Sequence, residues 1–317
     1  MSDYSKHIPV LLHETIKYLN LSDTGVYVDA TLGMGGYTSE ILNNSNCRLI
    51  SIDRDPEAIS NSYSLRRKFG VRFTVVNDLF SNLEKILKSL NIDKINGIAF
   101  DLGVSSPQID NPDRGFSFRF DSPLDMRMGR NVLSAADFIN NNDRNTIENI
   151  LRNFGEEKKA RQISKAIVSS RPITTTRKLA NVIYSVLGGP KRNKIDPATR
   201  TFQAIRIAVN NELEEIQLGL NASLKLLAPK GRITAVSFHS LEDRIVKNFI
   251  IQNSNMQSNS NRHLPQTSKN KPKLKIISKK PVIPSENEIY TNPRSSSAKL
   301  RVAEKIEYKI NPSCEAA

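Results

Sequence analysis

Apolar positions along the chain change their period twice. Up to residue 101, short β-branched and aromatic runs alternate with stretches at helical spacing. VYV closes on Asp29, RLISID on Asp53, VRFTVVND near Asp78, Leu79 and Phe80, and INGIAFD on Asp101. Between them, Thr38, Ser39 and Glu40 open a helix, Asp55 caps another with Pro56 in its first turn, and Leu83, Ile86, Leu87 and Leu90 line a third. A short helix with Leu12, Ile16 and Leu19 on one face comes before all of these. Strand and helix alternating at this rhythm predict a parallel, doubly wound sheet. In such sheets ligands bind at the carboxyl ends of the strands, where Asp29, Asp53, Asp78 and Asp101 fall.

After residue 102 the alternation stops. Residues 103–130 form a long polar-aromatic loop in which Phe116, Phe118 and Phe120 alternate with polar residues, as a half-buried strand or a substrate clamp would. From 134 to about 190 the period is helical: Ser134 caps AADFI, Ile147, Ile150, Leu151 and Phe154 share one face, and Leu179, Val182, Ile183 and Val186 share another. Asp196-Pro197 opens a single long helix carrying Phe202, Ile205, Val209, Leu213, Ile216 and Leu220. A fifth strand, GRITAVSF, follows an Ala-Pro-Lys-Gly turn, and HSLEDRIVKNFI is a helix with an acidic first turn. Residues 252–272 read as a mobile segment, and KLKIISKKPVI and AKLRVAEKIEYKI as two further short strands. The expected organisation is an α/β domain over 1–105 and 222–317, with a loop and an inserted all-α domain over 106–221.

Charge adds a partner class. The 317 residues carry a net charge of +14, from 46 basic and 32 acidic side chains, an electrostatic footprint that suits a nucleic-acid binder. Lys269, Lys271, Lys273, Lys275, Lys279 and Lys280 concentrate part of it near the C-terminus. Without Trp and with few aromatics, a base-stacking platform is not indicated. Cys47 and Cys314 and the four scattered histidines show no metal-ligand spacing, and no stretch resembles a signal peptide or a membrane span. These features fit a reducing cytoplasm and a site without a metal.

The chemistry centres on DATLGMGGYTSE. Gly33, Gly35 and Gly36 form a loop between strand and helix through which a ligand can approach the backbone and the helix start. Asp53 lies seventeen residues beyond Gly36 at the tip of the second strand, where a carboxylate accepts hydrogen bonds from two ribose hydroxyls. No Gly-Lys-Ser/Thr follows, so the loop is not a P-loop, and G-x-G-G falls short of the dinucleotide spacing G-x-G-x-x-G. Such a loop suits an adenosine ligand without a pyrophosphate, such as S-adenosylmethionine.

Five stretches, DATLGMGGYTSEIL, FDLGVSSPQIDNPDRGFSFRFDSPLDMRM, PATRTFQAIRIAVNNELEEI, VSFHSLEDRIVK and NPRSSSAKLRVAEK, together resemble the bacterial ribosomal small-subunit RNA cytosine-N(4)-methyltransferase family from about His7 to Lys305. The resemblance implies a Rossmann-like, seven-stranded methyltransferase sheet with one antiparallel strand and an inserted helical domain. It also implies S-adenosylmethionine-dependent methylation of the exocyclic amine of a decoding-centre cytosine in 16S rRNA, facing P-site tRNA. By the same likeness, Gly35, Gly36 and Tyr37 contact the cofactor, Asp53 binds its ribose, Phe80 packs beside the adenine, and Asp101 and Gln108 lie near the methyl-donor end. The loop departs from the commoner G-R-G-G-H of that family, with Met34 and Tyr37 in place of Arg and His.

Asp101 is the candidate catalytic group, an acceptor for the amine N–H, and the alternative is that it only binds the cofactor. His239, just after the fifth strand, invites either a general-base or a structural hydrogen-bonding role. Two rival functions stay open at this level: a nicotinamide-dependent oxidoreductase, and a ribosome-assembly factor that keeps the cofactor fold only for docking. Oligomeric state is not legible.

Overall fold

A computed structural model of the chain describes residues 9–129, 133–192, 195–254 and 271–308. The chain divides into two compact units, Met1–Gly103 with Glu214–Ala317, and Val104–Leu213.

The first unit is organised by a seven-stranded sheet. Its strands are β1 (Val26–Asp29), β2 (Arg48–Asp53), β3 (Phe73–Asn77), β4 (Ile95–Asp101), β5 (Leu227–Ser237), β6 (Leu274–Ile276) and β7 (Lys299–Lys305), in the order β3-β2-β1-β4-β5-β7-β6. Neighbours pair in parallel except at β7, which runs antiparallel to both β5 and β6. This is the seven-stranded, one-antiparallel arrangement that the resemblance implied. The chain winds outward from β1 to β3 and returns to β4, so the order reverses between β1 and β4. Side chains at the carboxyl ends of those two strands therefore flank a crevice.

Both faces of the sheet are covered. Leu19, Tyr27, Ile41, Leu49, Phe73 and Ala99 form one buried cluster, and Val10, Leu11, Val236, Leu300 and Val302 another. Each Val, Leu, Ile or Phe among them contributes about 1.5–3 kcal/mol on burial. The acidic first turn of the helix Ser240–Asn253 has a structural use, because Asp243 binds Arg301 of β7 through Oδ1 (2.6 Å from Nε) and Oδ2 (3.1 Å from Nη2).

The second unit is helical. Ala135–Asn141, Arg144–Gly155, Ala160–Ser169, Thr176–Leu187 and Thr199–Asn210 enclose a core that includes Ile139, Ile147, Leu151, Ile163, Ile183 and Ile205. Ser134, Asp143 and Thr175 cap the first, second and fourth of these helices, each accepting a hydrogen bond from the third helical residue.

Three expectations need correction. Phe116, Phe118 and Phe120 do not form a strand. Phe116 and Phe118 pack on the helical core, Phe118 edge-to-face on Phe202 at 5.0 Å, and Phe120 is exposed. Core apolar demand thus absorbs most of a loop that sequence pattern alone leaves without a partner. Second, the long helix predicted from Asp196 is two helices, Thr199–Asn210 and Glu212–Leu226, broken where Asn211 takes φ 51°. Asn enters the left-handed region more readily than most residues. Asn210 beside it is diverted to tie down the preceding loop, donating to Met126 O (2.7 Å) and accepting from Met128 N (2.9 Å). Third, β5 starts at Leu227, upstream of the turn expected to introduce it, and its register against β4 shifts between Ile95 and Gly97.

The helix Ser240–Asn253 reaches into the stretch read as mobile, whose residues 255–270 lie outside the described residues, as do His7, His263, Lys269 and Cys314. Lys271, Lys273, Lys275, Lys279 and Lys280 are all exposed on and around the edge strand β6, where charge also blocks edge-to-edge pairing. Among the described residues no helix is long and apolar enough to cross a membrane.

Candidate active site

The parallel strands bring Asp29, Asp53 and Asp101 to one end of the sheet, on β1, β2 and β4. Their surroundings differ. Asp53 Oδ2 accepts from Gly33 N and Oδ1 from Asp55 N, both at 2.8 Å, so one half-buried carboxylate fixes the glycine loop on one side and the chain leaving β2 on the other. Asp29 is fully buried and accepts from Thr38 Oγ1 (2.7 Å) and Thr31 N (3.2 Å), and Thr38 Oγ1 lies 2.6 Å from Ser51 Oγ. Asp101 donates its backbone N–H to Thr31 Oγ1 at 2.7 Å, while its Oδ1 is buried with no hydrogen-bond partner.

Arg54 offsets Asp53 slightly, and no cation enters the causes that set the proton affinity of Asp29 or Asp101. Burial pushes Asp29 up to about 6, against the opposing hydrogen bonds from Thr38 and Thr31. Burial also raises Asp53, partly offset by the N–H groups of Asp55 and Gly33. Asp101 lies well above the usual carboxylate range, first through burial and then through the charges of Asp29 and Glu242. Glu242 is fully buried and escaped the sequence reading as a site residue. Its signal was faint: an acid three residues after His239, at the third position of a helix whose cap is not Ser or Thr.

The loop glycines have a steric reason that the sequence did not show. Gly35 has φ 76°, and a Cβ there would lie 2.4 Å from Leu65 Cδ1; a Cβ on Gly36 would lie 2.0 Å from Pro9 Cγ. The protein's own packing behind the loop excludes side chains as firmly as a ligand in front would. The helix Gly36–Asn44 begins at the second of these, so the N–H groups of Gly36 and Tyr37 are among the first four of the helix, which lack intrahelical acceptors.

Tyr37 itself turns inward. Its side chain is buried, and its hydroxyl donates to Val10 O and accepts from Thr15 Oγ1 at 3.4 Å. Met34 is 42% exposed, so neither departure in the loop adds a polar side chain to the site. Phe80, just past β3, is half-buried and stands edge-to-face on Phe100 of β4 at 5.5 Å. Gln108 belongs to the helical unit, where its Oε1 accepts from Ser105 N at 3.0 Å and closes the cap of the short helix Ser106–Asp110. His239 caps the helix Ser240–Asn253, with Nδ1 accepting from Glu242 N at 3.4 Å and Nε2 3.1 Å from Glu242 Oε1, which favours the structural role over the general base.

A nucleoside ligand carrying positive charge suits these residues. Asp53 keeps lone pairs beyond its two backbone donors, Phe80 presents an apolar ring, and Asp101 Oδ1 is a buried acceptor without a hydrogen-bond partner. The sheet order, the glycine loop after β1 and the acid ending β2 define a Rossmann-like, S-adenosylmethionine-dependent methyltransferase. Comparison with known proteins agrees. The model of the MraW methylase family matches residues 4–306. Ribosomal RNA small subunit methyltransferase H of Rhodopseudomonas palustris (strain ATCC BAA-98 / CGA009) is 46% identical over 306 residues, covering 96% of this chain and 92% of that protein. The proteins of the same name from Afipia carboxidovorans and Carboxydothermus hydrogenoformans are 48% and 46% identical, covering 95% of this chain and 91% and 98% of theirs. The chain belongs to the MraW methylase family.

The elevated Asp29 has a measurable consequence. Because its folded-state value is about 6 against 3.8, the folded chain binds this proton more tightly than the unfolded chain between those limits. The group's contribution is therefore fully present below about pH 4 and is lost as pH rises through 6. Relative to wild type, Asp29→Asn is expected to gain on the order of 3 kcal/mol of stability between pH 4 and pH 7. Denaturant unfolding at the two pH values measures this, and a difference that stays constant would show that Asp29 does not titrate there.

Proposed function

We propose that this enzyme methylates the exocyclic N(4) amine of a decoding-centre cytosine, facing P-site tRNA, in the 16S rRNA of the small ribosomal subunit, in the cytoplasm. The names of the relatives support the RNA, and the residues quoted for the family resemblance support the atom. The observation that carries the chemistry is Asp101 Oδ1, a buried acceptor without a partner at the switch point of the sheet.

Cytosine's amine is a poor nucleophile because its lone pair is delocalised into the ring. S-adenosylmethionine, when bound, supplies a sulfonium methyl as the electrophile. Asp53, Phe80 and the N–H groups of Gly35, Gly36 and Tyr37 would hold the nucleoside part. Asp101 Oδ1 accepts one amine N–H, which turns the nitrogen lone pair toward its target and raises electron density on nitrogen as the bond forms. Holding the reacting atoms near contact in this way supplies several kcal/mol, up to about 7–11 in ideal cases. As the nitrogen gains a methyl it must lose a proton, and the raised proton affinity of Asp101 makes Oδ1 a suitable receiver. The base has to leave its stack, or be unstacked already, to reach such a site.

The test is transfer of labelled methyl to small subunits from a strain lacking the gene, followed by digestion to nucleosides. N(4)-methylcytidine is the expected product. Label in another nucleoside, or no transfer by a chain that binds S-adenosylhomocysteine, would overturn the proposal.

A further inference from the structure

Away from the strand ends, the helical unit carries an open cleft of about 540 Å³ along the helix Thr176–Leu187. Thr175, Lys178, Asn181 and Ser185 line it at helical spacing, together with Arg177 and Asp121. From Thr175 to Ser185 the helix rises about 15 Å.

The charge here is not explained by the fold. Arg177 and Lys178 are exposed, and neither makes an ion pair among the described residues. Their nearest partners are backbone carbonyls, Arg119 O at 3.3 Å from Arg177 Nη2 and Pro172 O at 2.5 Å from Lys178 Nζ. Both stand in the first turn of their helix, which holds no acid. The helix dipole disfavours cations there by about 0.3–1 kcal/mol each. Residues 104–213 carry 18 Lys and Arg against 11 Asp and Glu, half of the chain's excess positive charge. Two uncompensated cations, held by carbonyls over a cleft of hydroxyl and amide donors, make a surface for a polyanion.

We infer that this cleft binds the sugar-phosphate backbone of the RNA substrate, with phosphates on Arg177 and Lys178 and the hydroxyl and amide groups of Thr175, Asn181 and Ser185 on adjoining phosphate and sugar oxygens. The Asp121 carboxylate suits a ribose 2′-hydroxyl, the donor that distinguishes RNA from DNA. The inference rests on the RNA substrate proposed above and assigns part of its recognition to the helical unit.

The experiment compares full-length R177E/K178E with R161E/K165E, which makes the same charge change on exposed residues of the helix Ala160–Ser169 outside the cleft. Binding of small subunits is measured with S-adenosylhomocysteine present, and methyl transfer is measured in parallel. R177E/K178E is expected to raise both Kd and KM for subunits about 10-fold or more at physiological salt. It should also lower the slope of log K against log salt by about 1–2. Turnover at saturating subunits and affinity for S-adenosylhomocysteine should hold. Acids in the first turn favour the helix, so its melting temperature should hold or rise, which separates lost binding from lost folding. R161E/K165E should stay within about 3-fold of wild type. Equal weakening by both variants, or by neither, would overturn the assignment to this cleft. If wild type transfers no methyl to subunits, the proposed reaction fails, while the binding comparison still decides the cleft.

Discussion

Asp101→Asn is expected to give a more stable protein that barely turns over. The wild-type carboxyl keeps one oxygen buried without a partner and faces the charges of Asp29 and Glu242, so ionising it in place is costly. An amide of nearly the same shape removes that charge. At pH 7 to 8 the unfolded chain ionises this group freely while the folded chain resists doing so, a cost to folding that the amide lacks, so the melting temperature should rise. Methyl transfer should fall about 10²–10⁴-fold, the usual range when a positioned acid–base group is lost. Affinity for S-adenosylhomocysteine separates the two roles open to Asp101. Retained within about 10-fold while single-turnover transfer collapses, it places the group on the amine. An affinity loss that accounts for the whole defect would leave Asp101 as a cofactor ligand alone. Unchanged turnover would remove it from the mechanism. A gain in stability coupled to a loss of activity is what a strained functional carboxylate predicts and a structural one does not.

The first half of the sheet was legible because its strands are short and β-branched, and β1, β2 and β4 each close on an acid. Period and punctuation together placed Asp29, Asp53 and Asp101 at one end before any coordinates. What escaped lay in side-chain partners. Nothing in GMGGY says that Gly36 is held by Pro9 or that the Tyr37 hydroxyl reaches back to Val10, since both contacts cross to a segment distant in sequence. Periodicity ran through Asn210 and Asn211 without a break, because a helix with one left-handed residue keeps nearly the same apolar spacing on both sides. The Phe116–Phe120 stretch misled for the opposite reason. Strict alternation mimics a strand, and only the presence of a helical core nearby makes irregular chain an equally good way to bury Phe116 and Phe118. Gln108 illustrates a further limit. Sequence likeness assigns the position to the cofactor, but the local physics of Ser105-x-x-Gln108 is a helix cap, and its side-chain oxygen is engaged there.

Asp53→Ala is expected to lower cofactor affinity by about 100-fold or more while leaving the fold standing. The carboxylate has two jobs that alanine drops together. It is the acceptor proposed for ribose hydroxyls, and it is the knot that ties Gly33 N and Asp55 N at 2.8 Å each. Each hydrogen bond to a charged acceptor is worth about 1.5–3 kcal/mol. Without the knot, Gly33, at φ 50°, is no longer held in its turn by Asp53, and the ordering that the loop has lost must be recovered when ligand binds. The damage stays local because the β2 core beneath, Leu49, Ile50 and Ile52, is fully buried and untouched. Asp53→Asn should help little. An amide offers one acceptor and one donor where both neighbours are donors, so either Gly33 N or Asp55 N faces an N–H. Titration calorimetry with S-adenosylhomocysteine measures the affinity, and amide hydrogen exchange over residues 32–36 reads the loop. Faster exchange with lost affinity is the expected pair. Lost affinity at unchanged exchange would confine Asp53 to direct ligand contact, and unchanged affinity would take the end of β2 out of the binding site.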